Sequence, residues 1–186
     1  ALSWLNIAIF GSLPFIFSTI ELTITDAFFE SMSGITTTGS TIISNLENTP
    51  KGILLWRAIL QWLGGIGIIV IAIAIFPILK IGGMQLFKTE FSSKDDKVLP
   101  RTVTIATGIG TVYVILTFLC FLSLFLSGMK VFDSFAHSMT IIATGGFSTK
   151  NMSIGHFNSV SIELVTIFFM LISALPFLLL FQFSKG

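Results

Sequence analysis

The stretch DAFFESMSGITTTGST, from Asp26 to Thr41, returns 107 residues later in altered form as DSFAHSMTIIATGGFS, from Asp133 to Ser148. Seven of the sixteen paired positions are identical, whereas typical residue frequencies would give about one match. The identical pairs are Asp26/Asp133, Phe28/Phe135, Ser31/Ser138, Met32/Met139, Ile35/Ile142, Thr37/Thr144 and Gly39/Gly146. An ordinary loop has no reason to keep such a polar stretch in register, so the repeat indicates two related units.

The composition is typical of a membrane protein. Of the 186 residues, 53% are hydrophobic and only 10% are charged, whereas a soluble domain is about 25% charged. The apolar stretches are continuous rather than alternating, which favours transmembrane helices over a β-barrel. We therefore predict an all-α integral membrane protein that is surrounded by lipid. The net charge of +1 gives no electrostatic basis for binding nucleic acid.

Four uncharged apolar segments approach the roughly 20 residues that a helix needs to cross the hydrocarbon core. They are Ala1–Ile20, Ala58–Leu79, Thr102–Gly128 and Leu164–Phe181. One copy of the repeat lies between the first two segments and the other copy between the last two. This order predicts two helix–pore loop–helix units, residues 1–79 and 102–186, joined by a linker at residues 80–101. We expect the first and last helices to be truncated, the first because residue 1 lies within an apolar run.

The linker at residues 80–101 carries five of the ten Lys and Arg residues, and the positive-inside rule assigns such a segment to the cytoplasm. Both copies of the repeat are then expected outside, and the two units run parallel about an axis along the membrane normal. The sequence thus predicts a multi-pass protein of the cytoplasmic (inner) membrane.

Each copy of the repeat predicts a short helix that ends inside the membrane. Asp26 and Asp133 are good N-cap residues, and the eight or nine helix-compatible residues after each would form a helix about 13 Å long. The helices would end at the first Thr-Gly segment, TTTGS at residues 36–40, and the second, ATGGF at residues 143–147. Carbonyl groups left unpaired there must face protein or water, and they favour a cation. The pattern predicts a selectivity filter lined by neutral carbonyl and hydroxyl groups.

The stretches DAFFESMSGITTTGSTI, LLWRAILQWLGGIGIIVIAIAIFPILKIGGMQLF and HSMTIIATGGFSTKNMSIGHF resemble the Trk/Ktr/HKT superfamily of potassium transporters, and most closely the bacterial Trk-type membrane subunit. That family surrounds one potassium pathway with four units, of which this chain is similar to the first two. The resemblance implies K⁺ as the transported ion, with glycine at positions 39 and 146 implying a preference for K⁺ over Na⁺. It implies that K⁺ is coordinated around Thr37, Thr38, Gly39, Thr144, Gly145 and Gly146. The tail LISALPFLLLF, residues 171–181, departs from the family pattern.

The resemblance also implies partners. Four filter segments are needed, so the third and fourth repeats of the same polypeptide, or a second copy of the chain, would complete the pathway, and a homodimer is expected. The stretch Lys88–Lys97 is either a solvated cytoplasmic loop or a contact for a nucleotide-binding regulatory ring of the TrkA type.

Three alternative functions stay open at this point. The first is Na⁺/K⁺ symport, and the second is a non-conducting assembly subunit, in which changes to the Thr-Gly segments would be silent. The third is an intramembrane enzyme that uses Asp26 and Glu30 or a histidine. No nucleophile–base arrangement or cofactor motif is evident, so we predict that the chain is not an enzyme.

Several other polar residues near the spans have more than one interpretation. Arg57 and Glu163 either extend to the membrane interface or pair between the two units. Glu30 is expected to be a first-turn charge or an outer attractor for cations, and His137 and His156 are expected at the surface or in loops. The glycines of LGGIGI, residues 63–68, predict close helix packing rather than phosphate binding.

Overall fold

The structure, a computed structural model, describes residues 2–79 and 98–177, with side chains described for residues 2–68 and 106–177. Within these ranges the chain is helical and has no strand, as the predicted all-α class requires. The described α-helices are α1 (Leu2–Ile16), α2 (Ile24–Ile35), α3 (Lys51–Leu79), α4 (Val98–Leu126), α5 (Val131–Ile142) and α6 (Val160–Ser173). Short 3₁₀ helices at Leu46–Asn48 and Ser153–Phe157 lie in the loops.

Both halves of the chain follow one order: a helix, a short helix, an extended segment and another helix. The short helices α2 and α5 have 12 residues each, which corresponds to about 18 Å. They are longer than the predicted 13 Å but still shorter than the roughly 30 Å of a bilayer core.

Two helices begin earlier than the sequence predicted. α3 begins at Lys51 instead of Ala58, and α4 begins at Val98 instead of Thr102. Arg57 lies inside α3, and its charge is paired there with another residue of the protein. Residues 98–101 are helical rather than part of the linker, and residues 80–97, including the stretch Lys88–Lys97, lie outside the described residues.

The first and last helices end earlier than predicted. α1 ends at Ile16 instead of Ile20, and Ser18 Oγ there donates a hydrogen bond to the Phe15 carbonyl at 2.7 Å. α6 ends at Ser173, three residues before Pro176. Proline disfavours the helical conformation of the residue before it. The predicted fourth segment extends to residue 181, and its part beyond residue 177 lies outside the described residues.

By length and composition, one helical stretch in the described part of the chain can cross a bilayer. It is Ala106–Leu126 in α4, with a mean hydropathy of 2.4. α1 and α6 are apolar but shorter, at 15 and 14 residues.

α3 joins the two units. It packs against α2 of its own unit and against α5 of the other unit. Each unit has a core of its own, around Phe15 in the first and around Tyr113 in the second. Between the units, Ala58 packs with Ala136 and Met139, and these small alanines allow close approach of the helices.

The glycines of α3 confirm the predicted close packing. The backbone at Gly64 lies against the carbonyl of Ile35, at the end of α2. A Cβ atom at Gly65 would lie 2.7 Å from the Tyr113 hydroxyl and 3.1 Å from Ala143, at the end of α5. α3 therefore contacts the carboxyl ends of both short helices.

Candidate functional site

The two Thr-Gly segments share one backbone conformation. Thr37 and Thr144 have φ values of 55° and 54°, and Gly39 and Gly146 have φ values of 82° and 81°. These values lie in the left-handed region, which glycine adopts readily and threonine rarely. The sequence repeat is therefore also a repeat of backbone structure, including its unusual residues.

The turns before the two segments also match. Thr38 N donates to the Ser33 carbonyl at 3.0 Å, and Gly145 N donates to the Thr140 carbonyl at 2.9 Å. These bonds satisfy carbonyl groups in the last turn of α2 and α5 that have no helical partner. Each short helix therefore ends in the same turn.

The carbonyl groups of five predicted site residues, Thr37, Thr38, Gly39, Thr144 and Gly146, accept no hydrogen bond from the described part of the chain. Thr38, Thr144 and Gly146 are exposed, and Thr37 and Gly39 are half-buried. Backbone carbonyls away from water are almost always paired. These oxygen atoms thus form a set of neutral acceptors that take part in no hydrogen bond within the described residues.

The sixth predicted residue, Gly145, differs from the others. Its carbonyl accepts a hydrogen bond from Gln61 Nε2 at 2.8 Å. Gly39 lies against the same carbonyl, so closely that a Cβ atom at position 39 would overlap with it. The structure thus brings the first and second Thr-Gly segments into contact at Gly39 and Gly145.

A buried ion pair supports the first segment. The Arg57 Nε atom lies 2.7 Å from Glu30 Oε1, and the two side chains are only 1% and 0% exposed. The Glu30 carboxylate also accepts hydrogen bonds from Thr41 Oγ1 at 2.7 Å and from the Ile42 amide at 3.2 Å. This carboxylate therefore fixes the chain immediately after the first segment.

The ion pair corrects two predictions. Glu30 is not an outer attractor for cations, because it is buried and its charge is compensated by Arg57. The predicted pairing of Arg57 with Glu163 is wrong, since Arg57 pairs with Glu30 and Glu163 is exposed. A buried charge requires a partner, and Glu30 supplies it within the first unit.

His137 takes the place of Glu30 in the second unit. Its Nδ1 atom lies 2.8 Å from the Asp133 carbonyl, which can only accept, so Nδ1 carries the proton. Its Nε2 atom lies 3.0 Å from Ser148 Oγ, and Ser148 occupies the position that Thr41 occupies in the first unit. The ring is 2% exposed, so the predicted surface or loop role is wrong for His137. His156 is exposed in its 3₁₀ helix, as predicted.

The predicted N-caps are also wrong. Thr23 caps α2, accepting a hydrogen bond from Asp26 N at 3.2 Å. Lys130 precedes α5 without a side-chain cap, and Asp133 accepts a hydrogen bond from Thr149 Oγ1 at 2.6 Å. Both aspartates lie within the first helical turn, where a negative charge is favoured even without capping.

An exposed contact joins the outer loops of the two units. Glu47 accepts hydrogen bonds from the Asn151 amide at 3.0 Å and from its side-chain nitrogen, while Leu46 N donates to Asn151 Oδ1 at 3.1 Å. The backbone hydrogen bond from Asn151 is the main cause that holds the pKa of Glu47 below its usual value. His156 and Lys150 add a smaller attraction in the same direction.

A cavity of about 240 Å³ lies beside the second segment, between α5 and α6. Its polar lining includes His137, Thr140 and Thr166. The Thr166 hydroxyl is buried and has no hydrogen-bond partner in the described part of the chain. A cavity of this size with hydroxyl and imidazole groups in its lining can hold water.

Gln61 and Arg57 both contact the second segment. Sequence reasoning did not single out Gln61, and it assigned Arg57 another partner. Gln61 is fully buried, and Arg57 Nη1 donates to the Ser148 carbonyl at 3.0 Å. The available signal was their spacing: polar residues four apart on a helix lie on the same side, and polar groups in an apolar span need partners.

Comparisons with known proteins identify a family that this chain resembles. The family model described as "TrkH: Cation transport protein" matches residues 2–184. The chain is 48% identical over 188 residues to the Trk system potassium uptake protein TrkH of Escherichia coli strain K12, covering 100% of this chain and 39% of that protein. It is 47% identical over 186 residues to the Trk system potassium uptake protein TrkI of Halomonas elongata, covering 100% of this chain and 38% of that protein.

A solved structure is also similar. The crystal structure of the potassium transporter TrkH from Vibrio parahaemolyticus matches with a TM-score of 0.87 and 44% sequence identity. The match covers 100% of this chain and 37% of that chain. The chain therefore spans less than two fifths of the length of the relatives it matches.

Proposed function

The chain belongs to the TrkH family of cation transport proteins, and on that basis we propose that it forms two of the units around a transmembrane potassium pathway. The observation that carries the proposal is the repeated conformation of the Thr-Gly segments, in which the carbonyl groups of five of the six predicted site residues accept no hydrogen bond from the described residues. The relatives are named potassium uptake proteins, which favours transport over catalysis.

The chemistry of the segments suits a monovalent cation. The carboxyl end of a helix carries roughly half a negative charge, and α2 and α5 both end at a Thr-Gly segment. Thr37, Thr38, Gly39, Thr144 and Gly146 would replace water around K⁺ with carbonyl and hydroxyl oxygens. Gly145, whose carbonyl binds Gln61, would position the second segment instead.

The alternating sign of φ along each segment supports this proposal. In an ordinary β-strand, successive carbonyls point to opposite sides. Positive φ at Thr37 and Gly39, and at Thr144 and Gly146, departs from that pattern. Such a departure allows neighbouring carbonyls to converge on one path.

The compensated charge of the buried Glu30 carboxylate, beside the first segment, also suits passage of the ion. Glu30 is neutralised by Arg57, so attraction would come from dipoles rather than from a fixed carboxylate. An ion held by dipoles can leave again, whereas a buried unpaired carboxylate would hold a cation more tightly.

In this proposal the two units comprise residues 1–79 and 102–186, joined by a cytoplasmic linker at residues 80–101 whose last four residues extend α4. The protein would cross the cytoplasmic (inner) membrane several times, with both Thr-Gly segments open to the outside. A third and a fourth unit would complete the pathway, from the same polypeptide or a second copy. The assembly would be a homodimer that contacts a cytoplasmic nucleotide-binding ring of the TrkA type.

The test is potassium-dependent growth of a bacterium that lacks its own potassium uptake. The full-length protein would carry Gly39→Ser or Gly146→Ser, and protein levels in the membrane would be measured in parallel. We expect each substitution to reduce growth at low potassium and to let sodium compete, because a side chain at positive φ shifts the carbonyl groups around it.

Gly52→Ser is the matched control, since position 52 is exposed and a side chain there meets no neighbouring atom within 4 Å. Unchanged growth and sodium insensitivity in both segment variants would contradict the proposal and favour a non-conducting subunit. Loss of uptake only when sodium is withdrawn would favour Na⁺/K⁺ symport instead.

A further inference from the structure

Two side chains of α3, in the first unit, reach the second Thr-Gly segment. Arg57 and Gln61 are four residues apart, so they lie on the same side of the helix, one turn from each other. Both are buried, at 1% and 0% exposure. Their contacts extend over residues 145–148 of the second unit.

Gln61 holds the backbone on both sides of Gly146. Its Nε2 atom donates to the Gly145 carbonyl at 2.8 Å, and its Oε1 atom accepts from the Phe147 amide at 3.0 Å. Gly146 itself has φ of 81° and open space around its α carbon. A glycine without neighbours has the most conformational freedom of any residue. The two anchored peptide groups are therefore what restricts it.

Arg57 holds the next part of the same segment. Its Nη1 atom donates to the Ser148 carbonyl at 3.0 Å, and its guanidinium group lies 4.1 Å from the centre of the Phe147 ring. Glu30 fixes the orientation of this guanidinium group from the other side. The planar, multiple-donor shape of arginine allows it to bind a carboxylate and a carbonyl at once.

The first segment is held in another way. Ser33, in its own short helix, donates a hydrogen bond from Oγ to the Ser40 carbonyl at 2.6 Å. Thr140 has the equivalent position in the second unit, but its hydroxyl donates to the His137 carbonyl in α5 at 3.1 Å. The second segment thus lacks this contact from its own helix, and α3 of the other unit supplies the replacement.

We propose that Arg57 and Gln61 are positioning residues through which the first unit sets the conformation of the second segment, and with it the discrimination between potassium and sodium at Gly146. This inference rests on the proposed transport function. It makes cation selectivity a property of the junction between the units rather than of each repeat alone.

The test uses the full-length protein in proteoliposomes, with rubidium uptake as the probe. Gln61→Met keeps the length of the side chain but removes both hydrogen bonds. Arg57→Lys keeps the charge opposite Glu30, but a single ammonium group replaces the fork that binds both partners. We expect the KM for rubidium uptake to rise roughly tenfold in Gln61→Met, as for the loss of one or two hydrogen bonds. In both variants sodium should compete.

Thr117→Val is the matched control. It removes the hydrogen bond from Trp62 Nε1 to Thr117 Oγ1, at 3.0 Å, which also joins α3 to the second unit but does not touch a Thr-Gly segment. Its KM and its sodium insensitivity should stay at the wild-type values. If the inter-unit contacts only stabilise the fold, all three variants should have a lower protein yield and an unchanged KM.

Wild-type KM and sodium insensitivity in both Gln61→Met and Arg57→Lys would overturn the inference. If Gln61→Met does not accumulate, Arg57→Lys decides on the same measurement. Failure of both to accumulate, with normal Thr117→Val, would also count against selectivity control, because stability would account for it. If Gly39→Ser and Gly146→Ser alter selectivity while these variants do not, the proposed function stands and only this inference fails.

Discussion

The two Thr-Gly segments have nearly the same backbone but are held by different contacts. Their φ values agree within one degree at Thr37 and Thr144, and again at Gly39 and Gly146. The first segment is fixed within its own unit, by Ser33 and by the Glu30 carboxylate. The second is fixed largely by Arg57 and Gln61 from the other unit.

This difference shows that a repeated conformation does not need repeated support. Glu30 and His137 occupy equivalent positions and bind equivalent hydroxyl groups, Thr41 and Ser148, yet one is charged and the other forms neutral hydrogen bonds. The second segment also borders a cavity of about 240 Å³. We therefore expect the two units to respond differently to matched substitutions.

The largest expected contrast is between the buried ion pair and its counterpart in the second unit. Arg57→Met leaves the buried Glu30 carboxylate without its cation, and removing one partner of a buried pair costs about 3–5 kcal/mol. His137→Phe removes two hydrogen bonds, to the Asp133 carbonyl and to the Ser148 hydroxyl, while Ser148 keeps the Lys150 amide as a donor, so the loss is about 1–3 kcal/mol. The thermal unfolding of the purified full-length protein in detergent measures both losses. Adding Glu30→Gln to Arg57→Met should recover part of the loss, and equal losses in the two single variants would contradict the comparison.

A second contrast concerns the two glycines. Gly146→Ala adds a side chain in open space at positive φ, at a cost of about 1–2 kcal/mol. Gly39→Ala has the same backbone cost and also overlaps with the Gly145 carbonyl, which adds about 1–3 kcal/mol. Potassium uptake and thermal unfolding should both fall further in Gly39→Ala. Gly52→Ala is the control, because an exposed helical position favours alanine; a greater loss in Gly146→Ala would refute the expected order.

A smaller contrast separates Ser33 from Thr140. Ser33→Ala removes the hydrogen bond to the Ser40 carbonyl, at a cost of about 1 kcal/mol. Thr140→Val removes only a hydrogen bond to a carbonyl of the same helix, so its effect on unfolding should be close to zero. The melting temperatures of the two variants test this directly. A larger shift for Thr140→Val would mean that the second segment depends on its own helix after all.

The smallest expected effect lies in the outer loops. Folding lowers the pKa of Glu47 below its ordinary value of 4.5. The ionised carboxylate therefore stabilises the folded protein fully at pH values above 4.5. This stabilisation is lost as the pH falls through the lower pKa of the folded state. Glu47→Gln should therefore flatten the decline of melting temperature below about pH 4.5. Glu163→Gln is the control, because this exposed side chain has no hydrogen bond or ion pair in the described part of the chain. An unchanged acid slope in Glu47→Gln would show that the contact with Asn151 adds nothing to stability.

Much of the architecture could be predicted from sequence. The repeat indicated two short helices that end at Thr-Gly segments, and both are present. The glycines at positions 39 and 146 adopt positive φ, for which glycine is suited. The close packing at Gly64 and Gly65 also agreed with prediction. These features depend on neighbours close in the chain, or on the mere absence of a side chain.

Helix ends and caps were less predictable. α3 begins at Lys51, and Arg57, which looked like a charge at the edge of a span, lies inside the helix, where a residue 27 positions away neutralises it. Asp26 and Asp133 lie inside the first turn rather than before it, since aspartate is favoured at both places.

The sequence by itself determined the repeated order of helices, the two short helices and the positive φ of the glycines that follow them, because composition, periodicity and local sterics fix these. Only the tertiary structure decided which side chain supports which segment. Arg57 meets Ser148 across 91 residues and Gln61 meets Gly145 across 84. Such pairings follow from the packing of α3 between α2 and α5. No local sequence pattern predicts that packing. A buried polar group needs a partner, but the fold decides which partner comes within reach.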